Sequence, residues 1–381
     1  MNIKRLNNQT NFKELAKKIG ATSGGISIIK QKANLYYFYI DDLKTPAANI
    51  LKQDLLSIGG ELCVGKETIA CSEPFTDALI LVNKKQLKQI IEKSKLQPFG
   101  LKQLSLKLES FLHDNKDIWQ IMGVINANDD SFYSGSRFKS DEAIKKIKQM
   151  IEDGATIIDV GGVSSRPGSE YVGEVEEFKR VKPIIDEIYK EKLYAKVKFS
   201  LDSFSPKCLD YALSHGFTIT NDITALENDE VAEVVAKHKA TVVLMHKKGT
   251  TKNMQEEPSY KDVIVEVDEF FQAAIKKANS FGIEDIVLDV GIGFGKRLED
   301  NLLLIKHLEH FKKFGYPLLV GASRKSMLDM ITPTKVADRL WGTLAIHQYS
   351  LESGASIIRC HDVKENFYMI KTLEALRDIS I

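Results

Sequence analysis

The chain has 381 residues, of which 43% are hydrophobic and 28% are charged, a composition that excludes a wholly disordered protein. Its 53 basic and 52 acidic side chains leave a formal net charge of +1, too little for non-specific nucleic-acid binding. No apolar run approaches the roughly 18 to 20 residues that cross a bilayer, the start lacks a secretion signal, and the four cysteines form no Cys-x-x-Cys pair. We therefore expect a cytoplasmic protein with no nucleic-acid or membrane partner.

Residues 1–115 predict a small α+β domain. A helix is expected to begin at Thr45-Pro46 and to end at Gly59-Gly60, because proline suits a first helical turn and glycine a helix end. The stretches NLYYFYI and ALILV are typical of strands, and KKQLKQIIEK and LKQLSLKLESFL are typical of helices. We place the domain boundary near Asn115 and expect this first domain to be dispensable for chemistry.

Residues 116–381 repeat a strand-then-helix pattern. Eight short apolar runs recur, at 121–126, 156–162, 197–203, 217–222, 241–246, 286–294, 317–323 and 356–362. Apolar runs without alternation are typical of parallel strands covered on both faces. Eight such units in about 250 residues predict an α/β fold, namely a (β/α)8 TIM barrel preceded by the small α+β domain. A doubly wound open sheet is the alternative, although it would usually contain fewer strands.

A polar side chain stands at or just past the end of each predicted strand: Asn126, Asp159, Asp202, Asn221, His246, Asp289, Ser323 and His361. All strands of a barrel point the same way, so these side chains converge on the C-terminal rim, where TIM-barrel sites are built. Any one of them could simply cap the next helix, but the whole set predicts a binding site. For His246, packing and ligand contact are equally open.

One group of these residues suits an anion. Arg359 and His361 are two apart on one predicted strand and therefore face the same side. The segment SSRPGSE adds Ser165 and Arg166, and Asn126 adds an oxygen of the kind that Mg²⁺ accepts. Together they predict a diphosphate site, since guanidinium groups bind such oxygens in pairs. For Arg166 considered alone, a surface ion pair is the alternative.

A second group suits a flat ligand with several N–H donors along one edge. Asp202, Asn221 and Asp289 could accept those hydrogen bonds, and Lys325 could donate to a carbonyl or ring nitrogen. Phe294 is expected to pack over the bound ring. Arg297 follows GIGFGK where a phosphate loop requires Ser or Thr, so we expect no ATP site.

Residues 118–381 resemble the dihydropteroate synthases, which are pterin-binding TIM-barrel enzymes of folate biosynthesis. The matching segments run in order along the barrel: IMGVINANDDSF, DVGGVSSRPGSE, SLDSF, TNDI, VLMHKKGTTKNMQ, LDVGIGFGK, GYPLLVGASRKSML, DRLWGTLA and IIRCHDVKE. The resemblance implies that 6-hydroxymethyl-7,8-dihydropterin diphosphate and p-aminobenzoate are joined, releasing diphosphate and 7,8-dihydropteroate. It also implies a Mg²⁺ cofactor, a homodimer formed through the barrel helices and sensitivity to sulfonamides.

The resemblance implies a role for each matching residue. The pterin pocket contains Asp202, Asn221, Asp289 and Lys325. The diphosphate is held by Ser165, Arg166, Arg359 and His361, with Asn126 contacting the metal, and p-aminobenzoate by Phe294 and Ser326. The residues implied to be catalytic, through orienting a pterin cation or stabilising the departing diphosphate, are Asn126, Lys325, Arg359 and His361.

The sequence departs from the family pattern in two loops. Asn126-Ala127-Asn128-Asp129-Asp130-Ser131-Phe132 stands where the family usually has Asn-Val-Thr-Pro-Asp-Ser-Phe, so the fixed φ of proline is lost. Val163 replaces the Glu of the family's Gly-Gly-Glu-Ser. The pterin, metal and Arg-x-His motifs are intact, so we expect activity.

Two alternatives remain open from the sequence: a pterin-dependent methyltransferase using a methyl-folate and a corrinoid protein, and a catalytically silent pterin-binding paralogue. Residues 1–115 carry no pyrophosphokinase or aldolase motif, so we expect no second folate-pathway activity from the first domain.

Overall fold

The structure is a computed structural model that describes residues 3–4, 6, 11–113, 118–127, 136–163, 171–249, 254 and 256–379. The chain divides into two compact units, residues 1–114 with 372–381 and residues 115–371. The second unit thus ends at residue 371, whereas the sequence analysis extends the barrel domain to residue 381. Asn115 lies outside the described residues, and the boundary there stays a prediction. None of the helices described is long and apolar enough to span a membrane.

The first unit contains a three-stranded antiparallel sheet with strand order β1-β3-β2. Its strands are β1 (Leu35–Lys44), β2 (Glu61–Val64) and β3 (Phe75–Asn83). Its α-helices are α1 (Phe12–Lys18), α2 (Ser23–Lys30), α3 (Thr45–Ser57), α4 (Lys84–Ser94) and α5 (Leu101–Glu109). The predicted small α+β domain is confirmed; β2, α1 and α2 were not predicted.

Local sequence signals explain the central helices of this unit. Pro46 lies in the first turn of α3, and Gly59 follows that helix with a φ of 75°, a conformation that favours glycine. Asn83 and Gln86 form a reciprocal capping box at the start of α4. The buried sides of α3 and α4 join one apolar cluster with the sheet, which includes Leu51 and Ile80.

The second unit is a closed barrel of eight parallel strands that follow the chain order around the barrel. The strands are β4 (Gln120–Asn126), β5 (Ile157–Gly161), β6 (Lys198–Asp202), β7 (Ile219–Asp222), β8 (Thr241–Met245), β9 (Ile286–Asp289), β10 (Leu318–Val320) and β11 (Ile357–Cys360). The barrel closes where Ile357 of β11 pairs with Gln120 of β4. The TIM barrel is confirmed, and the open-sheet alternative is wrong.

Helices follow the barrel strands: α6 (Ser136–Glu152), α7 (Glu174–Lys190), α8 (Pro206–Ser214), α9 (Asp229–His238), α10 (Val263–Ser280), α11 (Leu298–Lys306), α12 (Met327–Ile331), α13 (Leu340–Glu352) and α14 (Val363–Asp378). Seven strands contribute one residue each to a buried apolar cluster: Met122, Ile157, Ile219, Val243, Val287, Leu319 and Ile357. Each of these residues precedes the polar end of its strand, so the cluster closes the barrel on the amino-terminal side of the polar groups.

We expect Leu51→Ala to destabilise the first unit by about 2–5 kcal/mol, because Leu51 is fully buried in the apolar cluster. Leu106→Ala is the matched control, since Leu106 on α5 is 60% exposed and its loss should cost under about 0.5 kcal/mol. Hydrogen exchange of the β3 amides measures the difference. Equal protection in the two variants would show that Leu51 does not support this core.

Candidate active site

Polar side chains from neighbouring strands stand at one level at the carboxyl end of the barrel. The strand register aligns Asn126 with Gly161, Gly161 with Asp202, and Asp202 with Asn221. On the far side, Asp289 is level with Met245 of β8. The predicted strand-end residues Asn126, Asp202, Asn221 and Asp289 therefore come to one end of the barrel.

Arg359 on β11 is the centre of a partly buried ion-pair network. Its Nε donates to Oδ2 of Asp159 at 2.7 Å, and its Nη2 donates to Oδ2 of Asp202 at 2.8 Å. The side-chain amide of Asn221 donates to the same Asp159 oxygen at 3.0 Å. Asp159 is fully buried, and its Oδ1 has no hydrogen-bond partner in the described part of the chain. The network thus joins four strands and leaves one carboxylate oxygen unpaired.

Burial raises the pKa of Asp202 to about 7. The positive charge of Arg359 opposes this shift, and the negative charge of Asp159 adds to it. Asp202 is therefore easier to protonate than an exposed carboxyl group, and its oxygens can accept hydrogen bonds from a ligand when it is ionised.

Asp289 and Lys325 meet the loop that follows β9. The Gly291 amide donates to Asp289 Oδ1 at 2.7 Å, and burial raises the pKa of Asp289. The ammonium of Lys325 donates to the Ile292 carbonyl and lies 4.3 Å from the centre of the Phe294 ring. Burial lowers the pKa of Lys325 to about 8, an effect that the charge of Asp289 opposes. One loop thus positions an acid, an amine and an aromatic ring.

His361 is tied to the loop that follows β10. Its Nδ1 lies 3.0 Å from Ser323 Oγ, which also accepts the His361 amide at 3.2 Å. Arg324 forms two 2.8 Å hydrogen bonds with the carboxylate of Asp362, a paired geometry that orients both groups. These links hold the segment that carries Lys325 against the end of β11.

The remaining predicted residues are less enclosed, or lie outside the described residues. Asn126 and Phe294 are half-buried, and Ser326 is exposed at the start of α12. Ser165 and Arg166 lie outside the described residues, as do positions 128–132 of the altered first loop. Their site roles stay predictions.

Sequence reasoning placed Asp159 among the strand-end residues but gave it no ligand of its own, and it did not single out Lys296. Asp159 interrupts an apolar strand, TIIDVGG, and a carboxylate in such a run needs a buried partner. The sequence therefore did contain a signal that Asp159 is paired inside the barrel. Lys296 is 3% exposed, but its position among glycines gave no sign of burial.

The two interpretations of His246 can be weighed against its surroundings. Its ring packs edge-on against Phe270, with 4.9 Å between centroids, and burial holds the pKa of His246 well below its usual range. A neutral imidazole packed in this way favours the packing interpretation.

Comparisons with known proteins agree with this geometry. The family model for pterin binding enzymes matches residues 122–361. The chain is 42% identical to the bifunctional dihydropteroate synthase/dihydropteroate reductase of Helicobacter pylori, over 99% of this chain and 100% of that protein. It is 40% identical to the dihydropteroate synthase of Synechocystis, over 67% of this chain and 89% of that protein. The structure of Yersinia pestis dihydropteroate synthase with a sulfonamide drug complex aligns with a TM-score of 0.65 and 37% identity, covering 69% of this chain and 95% of that one.

The barrel, its polar mouth and the family match define a pterin binding enzyme. Within that class, the full-length match and the agreement over the whole barrel show that the chain belongs to the dihydropteroate synthase family. The family resemblance seen in the sequence is thereby confirmed.

We expect Asp159→Asn to lower the pKa of Asp202, because it removes a nearby negative charge while Arg359 keeps its own. The carboxyl carbon resonance of Asp202, followed by NMR against pH, measures the shift. Asp210→Asn on α8, which removes a carboxylate paired with Lys237, should leave the titration unchanged. A pKa of Asp202 that stays the same or rises in Asp159→Asn would contradict the network.

Proposed function

We propose that this enzyme condenses 6-hydroxymethyl-7,8-dihydropterin diphosphate with p-aminobenzoate, forming 7,8-dihydropteroate and diphosphate. The observation that carries the proposal is the buried network of Arg359 with Asp159, Asp202 and Asn221 in the barrel mouth. Buried polar groups without a ligand are costly unless they are paired, and this cluster suits a ligand edge rich in N–H donors. The pterin ring offers such an edge through its amino group and ring N–H groups.

Acceptors and a donor for the pterin come from four strand ends. Asp202, Asn221 and Asp289 are all buried or nearly so, and hydrogen bonds are stronger in such a low-dielectric site. Lys325 is placed to donate to a ring carbonyl or nitrogen. The carboxylates also favour positive charge, which develops on the pterin as the C–O bond to the diphosphate breaks.

Arg359 can both orient the carboxylates of the pterin pocket and bind the diphosphate. A guanidinium carries five N–H donors, of which Asp159 and Asp202 take two. The others can bind diphosphate oxygens, joined by His361 from the same strand end. The positive charge of Arg359 would stabilise the leaving diphosphate, while the amine of p-aminobenzoate attacks the pterin methylene carbon and loses its proton.

A side-chain oxygen that could bind Mg²⁺ is available at the end of β4. In the described residues no group of three His, Cys, Asp or Glu side chains could hold a metal. Mg²⁺ commonly keeps several waters and is bound through one or two protein oxygens plus substrate phosphates. We infer that Asn126 would supply such an oxygen, so that the ion binds together with the diphosphate and neutralises part of its charge.

The direct test is to incubate the purified protein with the dihydropterin diphosphate, p-aminobenzoate and Mg²⁺ and to quantify dihydropteroate by chromatography. Product formation supports the proposal. Methyl transfer from a methyl-folate to a corrinoid protein in place of condensation would establish the methyltransferase alternative. Pterin binding without turnover of either kind would establish the silent paralogue.

We expect Asp289→Asn to weaken the binding of a pterin analogue about 10- to 150-fold, because a charged acceptor becomes neutral. Isothermal titration calorimetry measures the change. Asp285→Asn is the control, since Asp285 is exposed just before the opposite end of the same strand. Unchanged affinity in Asp289→Asn would show that Asp289 does not contribute to pterin binding.

Sulfonamides should inhibit this enzyme by competing with p-aminobenzoate and not with the pterin, if Phe294 and Ser326 form the p-aminobenzoate site. A relative from Yersinia pestis has been solved with a sulfonamide drug complex, which supports this class of ligand for the family barrel. Steady-state inhibition patterns against each substrate provide the measurement. A non-competitive pattern against p-aminobenzoate would place the drug elsewhere.

Reduction of dihydropteroate is a second candidate activity. It is favoured by one observation: the relative named as a bifunctional synthase/reductase aligns over 100% of its length, and residues 1–115 are included. We expected no second folate-pathway activity from this domain on sequence grounds, so the two inferences conflict. Offering dihydropteroate with reduced nicotinamide and reduced flavin donors decides between them: formation of tetrahydropteroate supports the reductase, and its absence with both donors rules it out.

A homodimer and a cytoplasmic location complete the proposal. On α13, Trp341 is 75% exposed, and Tyr349 is exposed eight residues later, which places both side chains on one helix face. A barrel helix with such a face supports association between two copies, and light scattering would measure it. The four cysteines are free thiols, as expected in a reducing compartment.

A further inference from the structure

Lys296 is a buried lysine whose three donors all go to backbone carbonyls. It is 3% exposed, and its ammonium donates to Gly291 at 2.9 Å, to Phe294 at 3.1 Å and to His246 at 3.2 Å. A lysine ammonium has three N–H donors, so this set uses its full capacity. Two of the carbonyls belong to the loop that follows β9, and the third lies just past the end of β8.

These two segments lie backbone against backbone. A Cβ at Gly291 would stand 1.8 Å from the His246 carbonyl oxygen, and a Cβ at Gly295 would stand 2.1 Å from that of Lys248. No side chain fits between the segments at these points. Since carbonyl oxygens repel one another when they face the same space, a shared cation is what allows this approach.

The loop held in this way, residues 290–297, carries contacts to both proposed subsites. The Gly291 amide orients the carboxylate of Asp289, and the Ile292 carbonyl receives the ammonium of Lys325. The ring of Phe294 lies beneath that ammonium. A shift of the loop would therefore move an acid of the pterin pocket and the aromatic wall of the p-aminobenzoate site together.

We propose that Lys296 is a positioning residue that holds the 290–297 loop against the end of β8 and thereby sets the geometry of the p-aminobenzoate subsite. This inference rests on the proposed function for the identity of the substrates. Burial lowers the pKa of Lys296 to about 7, while Asp289 opposes and Lys325 adds to the shift. The three carbonyl contacts offset part of the cost of a charge at this depth, and they tie the position of the ammonium to that of the loop.

The test compares Lys296→Met, which keeps most of the side-chain volume but has no donor, with Lys306→Met, an exposed lysine on α11. We expect Lys296→Met to raise the KM for p-aminobenzoate by about tenfold or more, with a smaller fall in kcat, because displacement of a binding wall by about 1 Å can cost up to about a hundredfold. Lys306→Met should match the unmodified enzyme. A merely structural role would lower the melting temperature and the active fraction and leave KM unchanged.

Lys296→Gln, which retains amide donors, serves if the methionine variant does not fold, and it should show a smaller rise in KM. Calorimetric titration of each folded variant with p-aminobenzoate in the presence of a pterin analogue gives the same comparison without turnover. If the unmodified enzyme makes no dihydropteroate, the proposed function fails. The calorimetric titration still tests whether Lys296 sets the geometry of the p-aminobenzoate subsite. A dissociation constant within about twofold of the unmodified enzyme in a folded Lys296 variant would overturn the inference.

Discussion

The barrel mouth depends on one half-buried guanidinium held between two carboxylates. Arg359 reaches from the last strand to Asp159 and Asp202 on the second and third strands of the barrel. Buried ion pairs add little net stability, because desolvation costs about as much as the attraction returns, but loss of one partner leaves an unpaired charge. The network is therefore better explained by ligand binding than by folding. Under the proposed function it would present acceptors to a pterin and keep a cation available for a diphosphate.

The same electrostatic effects link the group of residues suited to an anion and the group suited to a flat ligand, which the sequence analysis treats separately. Burial raises the pKa of Asp202 to about 7 and lowers that of Lys325 to about 8, and shifted pKa values of this kind cluster at functional sites. Lys296 extends this pattern to the loop after β9 by placing a further cation among carbonyl oxygens. Charges of both signs thus stand close together in a partly buried site, as suits a reaction that separates a cation from a diphosphate.

Much of the fold could be predicted from the sequence because each barrel strand lies in a short, mainly apolar run with a polar residue near, at or just past its end. β2 was not predicted, since four residues with the pattern ELCV give too short a signal. The site was predicted as a set of strand ends but not as a network. The partners of Arg359 are 200 and 157 residues away in sequence, so their contact depends on barrel closure, which no local pattern encodes. Lys296 was missed because its burial follows from the close approach of two backbones.

The most direct measurement is a crystal structure of the enzyme with a non-reactive analogue of the dihydropterin diphosphate. We expect the ring edge within hydrogen-bond distance of Asp202, Asn221 and Asp289, and the diphosphate on Arg359 while that side chain keeps its contact with Asp159. A ring bound outside the barrel mouth, or a diphosphate that does not touch Arg359, would contradict the central role given to this guanidinium.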